Sequence, residues 1–249
     1  MGYDMERYEV TPMIPPPGRK TGLLYRTDQP GDGSPFLRSA PGFRTIPKAE
    51  WKQWIEGGMN LSSQVWSVFD QANTGSCAAE SCNGGFKVIR EISGLKRVEF
   101  NPYAMYYTTS GGVDGGSTLQ ANLAHLRDRG AIPEAIWPRS KGWRAKPSAE
   151  AYEAAKLYRI DEFYEVTTWD EFASALLQNW VIYWGYSGHA IVGVDLLNED
   201  QFLYLNSWGR WGQKSPYNKV VDYGFGVANR SQIMWGYGIY AFRTPLWSE

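Results

Sequence analysis

Hydrophobic and polar positions divide the 249-residue chain into three stretches with different periods. From residue 1 to about residue 44 there is little period. "MIPPPGRKTG" and "DQPGDGSPF" are rich in Pro, Gly and Asp, the composition of an extended arm. Regular patterning starts near "IPKAEWKQWI". Between about residues 60 and 150 the helical period dominates. Cys82, Phe86, Ile89 and Ser93 form one stripe, which predicts a helix from Cys77 to Ile92, capped by Gly75 or Ser76 and ended by Gly94. The pair Gly84 and Gly85 inside it runs against that reading. A second helix is predicted over residues 117–129, with Ser117 as N-cap, Leu119, Leu123 and Leu126 inward, and Gly130 as stop.

From about residue 151 to 245 the pattern turns to strands. "YRIDEFYEVT" reads as one strand and "TTWDEFASALLQNW" as an amphipathic helix. "VIYWGYSGHAIVGVDLL", "QFLYLNSW" and "GYGIYAFRT" are runs of β-branched and aromatic residues, with "NED" as a turn. The expectation is an α+β chain: an arm over residues 1–44, then a helical lobe, then a strand-rich lobe.

Composition narrows the function. The formal net charge is −1 and there is no basic block, which argues against a nucleic-acid or membrane-surface partner. No apolar run is long enough to cross a membrane, the N-terminal "MGYDMERYEV" lacks the apolar core of a secretion signal, and Glu6 replaces the Ser or Thr of an acylation signal. A cytoplasmic location is expected, or packaging in a virion or other assembly. Cys77 and Cys82 lie five apart on one helix, so a bridge between them is not expected, and two free thiols fit a reducing compartment. No metal-ligand cluster and no phosphate-binding glycine motif occurs, so no cofactor is expected.

Candidate chemistry sits at three places. Cys77 opens a helix, where unpaired N–H groups and the macrodipole favour a thiolate, and Gly75 before it admits a close substrate backbone. A simply buried Cys is the competing reading. Of two histidines, His125 falls at a half-exposed helical position and reads as structural. His189 opens an apolar strand in "YSGHAIVGV" and is the candidate base. Asn206 follows it by 17 residues across the "NED" turn, so antiparallel neighbours would set the two side by side. An amide oxygen there would orient the imidazole, with Trp208 covering the contact.

The combination resembles the papain-like cysteine peptidases. "DQANTGSC" resembles that family's "DQGxCGSC", "GHAIVGV" its histidine strand, and "NSWGRWG" its "NSWGxxWG", one residue shorter here. "VDGGSTLQANLAHLRDRGAI" is similar to its "CNGG" segment and the following helix. The resemblance covers roughly residues 45 to 245 and implies a two-lobe papain-like fold, with a helical lobe, a β-barrel-like lobe and a cleft between them. It also implies roles: Cys77 as nucleophile, His189 as base and then acid, Asn206 as orienter, and Gln71 as oxyanion donor beside the Cys77 N–H. Such donors are typically worth ~3–4 kcal/mol each. Gly115 and Gly116 would border the non-primed cleft, Gly188 would contact the substrate beside the histidine, and Trp208 would line the primed side. The implied substrate is a peptide or protein.

The chain departs from the family pattern. Thr74 and Val113 replace both halves of a family disulfide together. Ala78 replaces a Trp, and Glu80 replaces a Phe one turn past Cys77, where a carboxylate would either raise the thiol pKa or bind a partner. The chain before His189 is short, which suggests an open cleft, and the segment from Gln213 onward is longer than usual. The arm either blocks the cleft or docks the chain into a larger assembly. The same triad on a cell-wall or isopeptide amide, and a non-catalytic module that keeps the fold, are the alternative functions.

Overall fold

A computed structural model describes residues 7–31 and 33–243. The first residues of the N-terminal decapeptide, Glu6 among them, and the last residues of the strand-rich stretch lie outside the described residues.

Six α-helices are described: α1 (Trp51–Gly57), α2 (Cys77–Ile92), α3 (Pro102–Thr109), α4 (Leu119–Asp128), α5 (Ala149–Ala155) and α6 (Trp169–Leu177). Six strands, β1 (Tyr164–Glu165), β2 (Val181–Tyr186), β3 (His189–Leu196), β4 (Gln201–Leu205), β5 (Phe225–Asn229) and β6 (Tyr240–Phe242), form one antiparallel sheet in the order β1-β6-β2-β3-β4-β5. The sheet is open and not barrel-like: β1 and β5 remain edges. "YRIDEFYEVT" yields only a two-residue strand, Tyr164 and Glu165 paired with β6.

The sheet is buried on both faces, as its near-continuous apolar strands require. Val181 and Tyr183 of β2 point into a core shared with Phe86 and Ile89 of α2 and with Leu119, Leu123 and Leu126 of α4. Ile182 and Trp184 point the other way, against Trp51 of α1 and Phe172 and Leu176 of α6. The period of two in β2 thus sorts its side chains between two cores.

The long helix α2 is the spine of the first core. Its residues from Cys77 to Arg90 are all buried. That explains the glycine pair: a Cβ at Gly85 would stand 2.9 Å from both Phe242 and Val181, so glycine lets the sheet approach the helix. Gly94 ends the helix with φ of 69°, and the Leu95 N–H reaches back to the Arg90 carbonyl at 3.0 Å, a left-handed cap.

Two expectations need correction in α4. Thr118, not Ser117, caps it, accepting from the Ala121 N–H at 3.2 Å. His125 is not half exposed but buried at 6 %, and burial lowers its pKa to about 4. It is a neutral core histidine.

The N-terminal arm is extended, but it is not loose. Tyr8 exchanges backbone hydrogen bonds with the Gln201 side chain at 2.9 and 2.8 Å. Thr11 pairs with Val227 on the β5 edge. Further on, the Glu165 N–H reaches the Pro35 carbonyl at 2.8 Å on the β1 edge. The arm therefore caps both open edges of the sheet. Between those anchors, residues 19–25 cross the molecule where α2 meets β3.

Candidate active site

Cys77 is the first residue of α2, and Ser76 is the N-cap. The Glu80 N–H bonds to the Ser76 carbonyl at 2.9 Å and starts the helix. The Ser81 hydroxyl donates to the Ala190 carbonyl at 2.7 Å and fixes this turn of α2 to the start of β3. The thiol is therefore held beside the His189–Ala190 backbone.

His189 begins β3, after a tight turn at Ser187 and Gly188 with φ of 49° and 77°. Its Nε2 lies 2.8 Å from Asn206 Oδ1. The same Oδ1 accepts the Ser207 N–H at 2.7 Å, which identifies the atom as the amide oxygen. Nε2 therefore carries the imidazole proton and Nδ1 keeps its lone pair. Nδ1 has no hydrogen-bond partner among the described residues. Trp208 stacks on the imidazole, with ring centroids 4.1 Å apart and planes 20° apart.

Gln71 is fully buried, and each polar atom of its side chain is engaged. Ser207 Oγ donates to Oε1 at 2.9 Å, while Nε2 donates to the carbonyls of Thr74 at 2.9 Å and Lys20 at 2.8 Å. Both latter partners are acceptors only, so the amide nitrogen must face them. Antiparallel pairing carries the Gln71 loop beside the Trp208 loop: the Gln71 N–H reaches the Ser207 carbonyl at 2.9 Å and the Gly209 N–H the Phe69 carbonyl at 3.0 Å.

The cleft is not open. Arm residues fill it, and Cys77 and His189 are 0 % and 2 % exposed. The Leu23 N–H donates to the Gly188 carbonyl at 2.8 Å. Ser117 brackets the arm in parallel: its N–H meets the Gly22 carbonyl at 2.8 Å, and its carbonyl the Leu24 N–H at 3.1 Å. Gly22 leaves no room for a side chain, since a Cβ there would lie 2.0 Å from the Gly75 carbonyl oxygen. Gly116, with φ of 89°, faces the same segment, and its own Cβ would lie 2.1 Å from the Gly22 carbonyl oxygen. Leu23 is buried against Gly185 and Tyr237, and Tyr25 stacks on Tyr237 at 4.2 Å. The long segment after Gln213 thus ends by covering the arm.

Of the residues the sequence singled out, Gln71, Gly75, Cys77, Gly116, Gly188, His189, Asn206 and Trp208 meet at this one place. Gly115 does not approach the arm; the only atom near its Cβ position is in Val113. Ser117 makes the backbone pairing expected of the two glycines. Sequence reading missed Asp114. Its carboxylate accepts from the Gly75 N–H at 2.7 Å, Tyr106 OH at 2.8 Å and Lys20 Nζ at 2.9 Å. Burial opposes its charge, but these donors outweigh burial and lower its pKa. A carboxylate one residue before the glycine pair was the available signal.

Burial dominates the electrostatics of the pair. It pushes the Cys77 thiol up to about 11, against backbone hydrogen bonds from Ala190, Gly22 and Ala78. It pulls His189 down to about 4, against the hydrogen bond to Asn206. Under the arm both groups are neutral at pH 7. Glu80 also raises the thiol pKa, but least of the causes, because its own carboxylate is paired with Arg139.

No family model matches the chain, and no curated protein matches it. Solved structures do. Xylellain, a cysteine protease from Xylella fastidiosa, superposes with a TM-score of 0.66 at 19 % identity, covering 91 % of this chain and 97 % of that one. Digestive procathepsin L2 from Tenebrio molitor larval midgut gives 0.64 at 16 % identity, over 91 % and 78 % of the two chains. Procathepsin B from Trypanosoma congolense gives 0.60 at 12 % identity, over 92 % and 87 %. With helices and an open antiparallel sheet packed in this arrangement, the chain has the papain-like fold of cysteine proteases.

Proposed function

We propose that the chain is a cysteine peptidase that hydrolyses peptide bonds through an acyl-enzyme. The observation that carries this reading is the peptide carbonyl already seated in the site: Lys20 C=O on Gln71 Nε2 at 2.8 Å, beside a helix-opening cysteine and an amide-oriented histidine. A scissile carbonyl in that place would be attacked by Cys77 Sγ. The thiol proton passes to His189 Nδ1, and the developing oxyanion is held by Gln71 Nε2 and the Cys77 N–H. Collapse breaks the C–N bond, and His189 returns the proton to the leaving amine. Water, deprotonated by His189, then attacks the thioester and frees the acid and the thiol.

The arm is the inhibitor of this site, not its substrate. If the Ser117 side of the cleft takes the acyl half of a substrate, the acyl half must precede the scissile carbonyl in sequence. In the arm, residues 22–24 lie along Ser117, and they follow Lys20. The chain runs backwards through the site, so the seated carbonyl belongs to a peptide bond presented in the wrong direction. The fluorogenic test is direct. The full chain with Gly22→Ala should cleave peptide amides, with Cys77 and not Cys82 taking a peptidyl epoxide. Labelling of Cys77 without cleavage of any peptide in a broad panel would refute the peptidase reading and favour a cell-wall or isopeptide amide.

Arm seating should depend on pH. His189 has an ordinary value of 6.5 and about 4 under the arm, so the buried neutral imidazole favours the seated state above pH 6.5. That contribution is lost as pH falls from 6.5 toward 4. Cys77, with 9.0 as its ordinary value and about 11 under the arm, removes stability in the other direction as pH rises from 9.0. Hydrogen-exchange protection of the Leu23 and Leu24 amides, corrected for intrinsic exchange, should therefore be greatest between pH 6.5 and 9.0. Below that window it should fall about tenfold per pH unit. Constant protection down to pH 4.5 would contradict the account.

A further inference from the structure

The loop that carries Gln71 lacks the covalent staple that its motif leads one to expect. Thr74 stands at one end of it, and Val113, at the other, is 63 % exposed. The loop is nevertheless strained: Ala72 has φ of 51°, a left-handed conformation for a residue with a Cβ. Something else holds it in register with α2.

Arg139 is placed to do so. It opens a short helical turn, Arg139–Lys141, that packs against α3, and its side chain reaches the first turn of α2. Its Nη1 donates to Glu80 Oε2 at 3.0 Å, and Nη2 donates to Glu80 Oε1 and to the Asp70 carbonyl. The guanidinium also lies 4.1 Å from the centroid of the Tyr103 ring, whose hydroxyl donates to the Gln71 carbonyl at 3.3 Å. One rigid, planar group thus ties the helix that bears Cys77 directly to the Asp70 carbonyl and, through the Tyr103 ring it lies over, to the Gln71 carbonyl. A chain of hydroxyls closes the circuit. Ser76 Oγ donates to Glu80 Oε1 at 3.2 Å, and Thr74 Oγ1 shares its one proton between the Gln71 carbonyl and Ser76 Oγ, each 2.7 Å away.

Stability alone does not explain this arrangement. Glu80 is 0 % exposed, and a buried ion pair replaced by apolar packing is commonly neutral or more stable. What the pair supplies is geometry. We infer that Arg139 is a positioning residue for the oxyanion hole, clamping Gln71 to Cys77 where a disulfide is missing. The inference rests on the peptidase reading.

The test separates the hole from the nucleophile, in the full chain carrying Gly22→Ala. A peptide aldehyde adds to Cys77: a C–S bond forms, the thiol proton passes to the aldehyde oxygen, and that oxygen occupies the hole. Iodoacetamide alkylates the same sulfur with loss of iodide and develops no oxyanion. Arg139→Lys keeps a cation against Glu80 but cannot span to Asp70. It should lose tenfold or more in aldehyde affinity and in kcat, with KM and the iodoacetamide rate within twofold of the parent. Glu80→Gln, which keeps the guanidinium and its bond to the Asp70 carbonyl but only one of the two acceptors on residue 80, serves if the lysine variant does not melt cooperatively; it should show a smaller loss with the same selectivity. Unchanged aldehyde affinity overturns the inference. So does an alkylation rate that falls in step with affinity, since Arg139 would then support the whole site. A parent that binds aldehyde without cleaving peptides fails the peptidase reading alone and leaves the clamp measurable. A parent that binds no aldehyde overturns both.

Discussion

Gly22→Ala in the full chain should raise the alkylation rate of Cys77 at pH 7.5 by about a hundredfold or more. The physical step is steric. The new Cβ would stand 2.0 Å from the Gly75 carbonyl oxygen, and both groups are backbone, so neither can turn aside. Relief requires the arm to lift. Lifting breaks the Leu23 to Gly188 and Leu24 to Ser117 hydrogen bonds together, because Gly22 opens that short ladder and its own carbonyl accepts from the Ser117 N–H. Solvent then reaches Cys77, whose thiol is held at about 11 by burial. A thiol at its ordinary value of 9.0 carries about a hundred times more thiolate at pH 7.5, and an imidazolium partner would add to that. The measurement is the second-order rate with iodoacetamide, read by mass spectrometry against Cys82 as internal control. Cys82 is buried in the core, its pKa also pushed up, and its rate should not change. An unaltered Cys77 rate would mean that the arm is not what shuts the site.

The arm was the feature that sequence reading could not place. Its anchors across the site and on β5 include backbone hydrogen bonds to Ser117, Gly188 and Val227, far along the chain, and such bonds leave no periodic trace in side-chain pattern. Gly22 is an ordinary turn residue until Gly75 and Gly116 are seen on either side of it. The same limit hid the pair of Glu80 with Arg139, which are 59 residues apart. Read alone, Glu80 was a carboxylate near a thiol; in the fold it is half of a clamp.

Local chemistry was legible for the opposite reason. The bounds of α2 follow from a cap, a stripe and a glycine stop, all within one segment, and the helix runs from Cys77 to Ile92 as expected. His189 and Asn206 follow from a short hairpin connection that leaves their strands few ways to pair. Burial was harder. His125 looked half exposed on a helix wheel, yet α4 is covered on that side by Tyr152. The barrel-like expectation failed on closure, since β1 is only two residues long and β6 is its one neighbour among the described strands.

The largest loss should come from His189→Ala. In the Gly22→Ala chain it should lower kcat for a peptide amide by about a thousandfold to ten-thousandfold, the range for removing a general base or triad member. Two functions disappear with one ring. The sulfur loses the acceptor for its proton, and the leaving amine loses its proton donor. Because Nε2 is held by Asn206 at 2.8 Å, Nδ1 is left with the lone pair that performs both transfers. Alkylation must fall as well, since thiolate formation also depends on that lone pair. This is the contrast with Arg139→Lys, which should spare alkylation while losing the hole. Asn206→Ala should fall between them: the imidazole and its lone pair survive, but the ring is free to turn under Trp208, which is stacked 4.1 Å away. If His189→Ala alkylates Cys77 as fast as its parent, the pair does not exist, and the fold would be carrying a buried cysteine with no base.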